Sequence, residues 1–123
     1  GNVLWKGGIP NFVDFDDTMT GPAIQDLWMM LSGERDQRQA QLLELAEGYN
    51  EFHDFRPSEL VLVESLRTLR LMHYAAWLAR RWKDPAFPLS FPWFNTERYW
   101  AEHILELREQ LSALDEPPLI LIQ

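Results

Sequence analysis

Two short apolar runs near the N-terminus have the composition of β-strands. Val3-Leu4-Trp5 and Phe12-Val13-Asp14-Phe15 are rich in β-branched and aromatic residues. The segment between them, Lys6-Gly7-Gly8-Ile9-Pro10-Asn11, contains a Gly-Gly pair that supplies turn conformations. The pattern predicts a two-stranded hairpin. Because two strands alone are marginally stable in water, we expect this hairpin to pack against other elements.

The rest of the chain shows helical periodicity interrupted by helix breakers. Gly21-Pro22 is typical of a helix start, and Ser32-Gly33 ends the short helix that follows it. Two longer helices are predicted over residues 34–53 and from Pro57 to about residue 82. A final helix follows Asn95 or Thr96, either of which is a suitable N-cap. The apolar face of the short helix comprises Ile24, Leu27, Trp28 and Leu31.

The helix predicted over residues 57–82 is apolar on nearly all sides, so we expect it to be buried at the centre of the domain. Residues 84–93 contain three prolines among aromatic residues, which predicts an ordered strap without regular structure. The expected fold is therefore mainly α, with an N-terminal β-hairpin over residues 1–17. The helical part covers residues 22–114, and an extended tail covers residues 115–123.

The composition excludes several classes of partner and site. The chain has 123 residues, enough for one domain with a hydrophobic core, and its net charge of -8 repels phosphate backbones and anionic lipids. We therefore expect neither nucleic acid nor a membrane as a partner. The absence of cysteine excludes disulfides and thiolate sites. No targeting segment or membrane span is visible, and the expected location is the cytoplasm.

Three carboxylates, Asp14, Asp16 and Asp17, are crowded at the end of the second apolar run. A turn explains Asp17, since a short carboxylate bonds nearby backbone amides. Asp14 lies between Val13 and Phe15, where an unpartnered carboxylate would be costly to bury. It needs either a divalent cation such as Mg²⁺, which binds oxygen ligands, or hydrogen-bond donors. The residues alone leave both alternatives open.

The order of these features resembles the aminoglycoside phosphotransferase-like kinases, a branch of the protein-kinase-like fold. Gly1-Asn2 resembles the end of that family's catalytic loop, and the hairpin then leads to Asp14 and to the helix after Gly21-Pro22. Further segments resemble a bacterial serine/threonine protein kinase of this family that acts in stress response. These are Val13-Asp14-Phe15-Asp16-Asp17, Gly21-Pro22-Ala23, Gln25-Asp26-Leu27-Trp28, residues 71–82, Asp84-Pro85-Ala86-Phe87-Pro88 and Glu116-Pro117-Pro118-Leu119.

The resemblance implies that residues 1–123 are the C-terminal part of a kinase C-lobe. It assigns Asn2 and Asp14 as the ligands of a catalytic Mg²⁺. The nucleotide-binding lobe and the catalytic Asp and His would then precede Gly1, so no catalytic residue is expected within the chain. ATP, Mg²⁺ and a protein substrate are expected for the full-length kinase. The fragment alone is expected to be inactive and to bind neither ATP nor metal tightly.

Other polar residues are weaker candidates. Asp26 could be catalytic, although the resemblance favours a structural anchor that ties its helix to the catalytic loop. Three- and four-residue spacing places a set of polar and aromatic residues on one side of the longest helix, where they either line a substrate cleft or serve structure. These helix residues are Arg70, His73, Trp77 and Arg81, and Asp16 of the acidic cluster completes the candidate cleft set. Lone histidines, at 53 and 103, are weak evidence for a metal.

Three functions therefore remain open at this point. The chain is part of a protein kinase, part of a kinase that phosphorylates a small molecule of the aminoglycoside or choline type, or a helical interaction module without chemistry. Val3, Trp5 and Phe12 of the hairpin are apolar, and a hairpin edge has unpaired backbone groups. We therefore expect the isolated fragment to self-associate through its hairpin.

Overall fold

An antiparallel hairpin begins the computed structural model, which describes residues 2–122. Strand β1 spans Val3–Lys6 and strand β2 spans Ile9–Phe12, with Val3 opposite Phe12 and Lys6 opposite Ile9. The connecting residues Gly7 and Gly8 have φ angles of 59° and 78°. Positive φ at both positions is the two-residue turn whose twist matches paired strands, and glycine adopts it without steric cost.

The second strand lies three residues earlier than the sequence pattern predicts. The two-residue turn places Ile9 opposite Lys6, so the ladder includes Pro10 and Asn11, which the pattern assigns to the turn. β2 ends before Asp14, whose φ of 67° is left-handed and cannot continue a strand. Asp14 therefore follows the strand instead of lying within it.

Five α-helices follow the hairpin along the described part of the chain. They are α1 (Ile24–Leu27), α2 (Arg35–Asn50), α3 (Val63–Arg81), α4 (Ala86–Ser90) and α5 (Glu97–Leu114). Short 3-10 turns at Trp28–Met30 and Pro57–Leu62 extend α1 and precede α3. Thr96 caps α5 as predicted, because its side-chain oxygen accepts a hydrogen bond of 3.1 Å from the Tyr99 amide. None of the described helices has an apolar stretch long enough to cross a membrane.

The core forms around the short helix α1. Its predicted apolar face is buried, and Ile24 has no exposed surface. Leu42 of α2 and Leu119 of the tail pack in the same cluster. Arg35 holds the tail there by donating to the carbonyls of Pro117 and Pro118, each at 2.9 Å. The tail is therefore part of the core.

Helix α3 is less buried than its composition predicts. It buries Val63, Ala75 and Leu78, but Leu69 and Met72 are exposed. The main contacts of α3 are with α1, α5 and the 3-10 turn at Pro57–Leu62, and these elements cover only part of its circumference. The expectation of a helix buried at the centre of the domain is wrong for these residues.

The proline-rich strap is ordered but contains a short helix, α4, where no regular structure was expected. Pro85 precedes its first residue and Pro88 lies in its first turn, where a backbone N–H has no intrahelical acceptor to lose. The aromatic residues of the strap pack on neighbouring rings without being buried, since Phe87 and Phe91 are half-buried and Trp93 is exposed. Trp77 meets Phe87 edge to face at 5.3 Å, and Trp82 meets the buried Phe94 at 4.9 Å. Trp93 also meets Tyr99 of α5 at 5.5 Å, so the strap packs against both α3 and α5.

Candidate functional site

The register of the hairpin places Asn2 opposite Val13, the residue that directly precedes Asp14. The Val13 amide donates to the Asn2 carbonyl oxygen at 3.0 Å, which continues the antiparallel pairing one step beyond β1 and β2. Asp14 is the next residue. Its left-handed backbone, which Asp and Asn adopt more readily than most residues, turns the chain out of the ladder immediately after this bond.

Asp14 is exposed, so the expectation that its carboxylate is buried in an apolar run is wrong. All described residues up to Pro22 are exposed, and the hairpin provides no covering layer for the carboxylate. The donor set fits Mg²⁺, because an amide oxygen and a carboxylate are hard ligands and the open side leaves room for phosphate and water oxygens. Among residues 2–122, no group of three or more His, Cys, Asp or Glu side chains is placed to hold a metal. Protein ligands from this region would thus form only part of a coordination shell.

The neighbouring carboxylates lie in a turn. The Thr18 amide donates to the Phe15 carbonyl at 3.1 Å, which closes a turn containing Asp16 and Asp17. Asp17 therefore occupies the turn setting that its position predicts. Asp16 is exposed in the same turn, and its assignment to a substrate cleft stays a prediction. Asp26 is exposed on α1, and its role as a structural anchor also stays a prediction.

The candidate cleft residues on α3 separate into two surroundings. Trp77 stacks on Tyr74 at 6.3 Å, and the Arg81 guanidinium lies 4.8 Å from the Trp77 ring centroid. Arg70 instead lines a groove between α3 and α5, and His73 is exposed. Trp77 and Arg81 are therefore in contact with each other, whereas Arg70 lines this concave surface.

We call this concave surface the α3/α5 groove, and its volume is about 760 Å³. Arg67 and Arg70 lie on its α3 side, whereas Glu102, Glu106 and Glu109 lie on its α5 side. Its two walls therefore carry opposite charge. The volume is in the range of about 300–1,000 Å³ that is usual for ligand sites.

A polar network at the base of this groove was not predicted from the sequence. The Glu64 carboxylate accepts hydrogen bonds from Arg38 Nη1 at 3.4 Å, Arg67 Nε at 3.2 Å and Gln110 Nε2 at 2.8 Å. Gln110 is buried, and it also donates to the Glu64 carbonyl at 3.0 Å. The network ties α2, α3 and α5 together. One signal was available: Gln110 falls three residues after Leu107 on the apolar stripe of α5, where a polar group needs a partner.

The surroundings of Tyr99 in the groove raise its pKa. Burial raises the pKa of Tyr99, and the nearby Glu106 carboxylate and Tyr74 hydroxyl raise it further. The effects of Glu106 and Tyr74 both disfavour a negative charge on Tyr99. The Glu106 carboxylate thus adds negative charge beside Tyr99 on α5.

Comparisons with known proteins identify relatives of this chain. Residues 1–61 match the model of a family described as the phosphotransferase enzyme family. Stress response kinase A from Escherichia coli O157:H7 is 51% identical over 119 residues, which are 97% of this chain and 36% of that protein. Stress response kinase A from Shigella flexneri is 51% identical, and a protein named serine/threonine protein kinase RdoA from Salmonella typhimurium is 50% identical, over the same shares. The chain spans about a third of the length of the curated relatives it matches.

Proposed function

Since the chain belongs to the phosphotransferase enzyme family, we propose that it supplies the Mg²⁺-binding side of the phosphoryl-transfer site of a kinase. The kinase is ATP-dependent, acts on serine or threonine of proteins and serves in stress response. The observation that carries the proposal is the backbone hydrogen bond from Val13 to Asn2, which places Asn2 opposite the residue that precedes Asp14. The names of the similar proteins support the protein-kinase assignment.

In this proposal Asn2 and Asp14 hold the metal through side-chain oxygens. A bound Mg²⁺ neutralises charge on the transferring phosphates. The hairpin's contribution is to fix the two ligands, because the register sets Asn2 beside Val13 and the left-handed Asp14 backbone sets the direction of its side chain. The nucleotide lobe and the residue that orients the substrate hydroxyl come from other parts of the full-length kinase. Such an enzyme works where ATP is supplied, so the proposed location is the cytoplasm.

The substrate class is tested with a chimera. In it, this chain replaces the 36% of Escherichia coli O157:H7 stress response kinase A that it matches. We expect transfer of labelled phosphate from ATP to serine or threonine of a protein substrate, and none to kanamycin or choline. The reverse preference would establish a small-molecule kinase, which is the second candidate because the fold supports both. A chimera without either activity, alongside an active unmodified relative, would contradict the proposed kinase.

The isolated chain is predicted to have no useful affinity for ATP. Two metal ligands at one end of an exposed hairpin do not replace the lobe that binds the nucleotide. Isothermal titration with ATP and MgCl₂ should show no saturable heat below millimolar concentration. Micromolar binding by these 123 residues would show that the chain contains a nucleotide site of its own.

The isolated chain is also predicted to self-associate through the hairpin. Trp5 is 69% exposed and Phe12 is 60% exposed, so pairing of two hairpins removes apolar surface from water as well as satisfying strand edges. Sedimentation velocity should show a weight-average mass that rises with concentration, and Trp5→Lys should abolish the rise. Leu43→Lys on exposed α2 is the matched control and should leave it unchanged. A strictly monomeric chain at high micromolar concentration would contradict the prediction.

A further inference from the structure

The shape of the α3/α5 groove favours a long ligand over a compact one. Its lining residues on α5 run from Tyr99 to Ala113, which corresponds to about 21 Å of helix. An extended polypeptide of about six residues has this length. A small metabolite would occupy only one part of such a groove.

The charges on the two walls do not neutralise one another directly. Among residues 2–122, no ion pair joins the α3 wall to the α5 wall: Arg67 pairs with Glu64 on its own helix, and Glu102 pairs with Arg98 on its own helix. Arg70 and Glu109 thus line opposite walls of the groove and do not form an ion pair with each other. A ligand that presents both signs of charge would complement both walls.

The groove is also held open by contacts already described. The bond from Gln110 to Glu64 joins α3 and α5 at the base, so the spacing of the helices is fixed there before any ligand arrives. Tyr74 and Tyr99 line the same surface and provide amphipathic contact area with few rotatable bonds. A preformed groove with rigid aromatic residues lowers the entropy cost of binding.

We infer that the α3/α5 groove binds an extended polypeptide segment in which a basic side chain faces Glu106 and Glu109 while an acidic side chain faces Arg70. The polypeptide nature of the ligand rests on the proposed function, whose substrate is a protein. The inference that the ligand carries both a basic and an acidic side chain rests on the groove alone. A purely acidic segment is disfavoured by the net charge of -8, and a purely basic one leaves Arg70 unopposed.

The test measures peptide binding to the 123-residue chain itself. The probe is a fluorescein-labelled peptide with the sequence Arg-Ser-Gly-Glu-Arg-Ser-Gly-Glu, and fluorescence anisotropy reports its affinity in low salt. Two further peptides have all Glu replaced by Gln or all Arg replaced by Gln. We expect the mixed-charge peptide to bind more tightly than both. Arg70→Gln and Glu109→Gln should each weaken it by about three- to tenfold, and added salt should weaken it further.

Matched controls separate the groove from general surface charge. Arg80→Gln and Glu44→Gln remove the same charges from exposed positions outside the groove and should change the affinity by less than about twofold. Circular dichroism verifies that each variant folds. If a groove variant does not fold, two-dimensional NMR of the unaltered chain replaces it, and the peptide must then shift the Tyr99 and Glu109 amide resonances.

Several results would overturn the inference. They are the absence of saturable binding, equal binding by the all-basic peptide, unchanged affinity in Arg70→Gln and Glu109→Gln, and full competition by an equimolar mixture of free arginine and glutamate. The last result would assign the groove to a small zwitterion. Because this assay needs neither ATP nor phosphotransfer, its failure is distinguishable from failure of the kinase proposal, which the chimera tests separately.

Discussion

Replacing Asp14 by glycine in the chimeric kinase lowers phosphotransfer by about 100-fold or more, if this carboxylate holds the catalytic metal. Glycine is the informative replacement because Asp14 has a φ of 67°. It removes the carboxylate while keeping a backbone conformation that alanine would adopt only with strain. A loss of activity in Asp14→Gly is therefore attributable to the missing side chain and not to a distorted hairpin.

Asp14→Asn and Asp17→Ala complete this experiment. Asparagine tolerates the left-handed conformation but is neutral, so Asp14→Asn should lose most activity and require a higher Mg²⁺ concentration for what remains. Asp17 lies three residues away in the turn and is the matched control, with activity expected within about threefold of the unaltered chimera. An active Asp14→Gly chimera with an unchanged Mg²⁺ requirement would remove Asp14 from the metal site.

The sequence predicted four of the five described α-helices, α1, α2, α3 and α5, because their signals are local. Thr96 is an N-cap whose mechanism depends on residues three positions away, and Ile24, Leu27 and Trp28 share a face through helical spacing. The second strand was misplaced because composition marked Phe12 to Phe15 as the strand. The two-residue Gly7-Gly8 turn instead dictated pairing from Ile9.

Predictions that depend on long-range contacts were less successful. The composition of α3 indicates burial on most sides, yet the exposure of Leu69 and Met72 depends on which elements cover the helix. The partners of Glu64 are 26 and 46 residues away in Arg38 and Gln110, and no sequence pattern specifies such a meeting. For the candidate site, the residues alone indicated Asp14 as a carboxylate that needs a cation or hydrogen-bond donors, whereas Asn2 was indicated only by the family resemblance. The Val13–Asn2 hydrogen bond depends on the register of the hairpin.

Glu64 gives the largest stability effect that we predict for this chain. Its carboxylate accepts from Arg38, Arg67 and Gln110, and Arg38 Nε and Arg67 Nη2 are already buried without a hydrogen-bond partner among the described residues. Glu64→Ala leaves the Arg38 and Arg67 guanidinium groups without the carboxylate that pairs with both of them. Removing one partner of a fully buried ion pair costs about 3–5 kcal/mol. Because the Glu64 side chain is 24% exposed and water screens part of the charge, we expect about 2 kcal/mol.

Chemical denaturation of the chain by urea measures this loss as a lower midpoint at an unchanged slope. Glu44→Ala, on the exposed face of α2, is the control and should cost less than about 0.5 kcal/mol. Adding Arg38→Leu to Glu64→Ala should recover part of the stability, since the double variant removes an uncompensated cation together with its lost partner. If instead the two changes are additive, or Glu64→Ala matches the control, the network contributes no net stability and packing alone holds α2, α3 and α5 together.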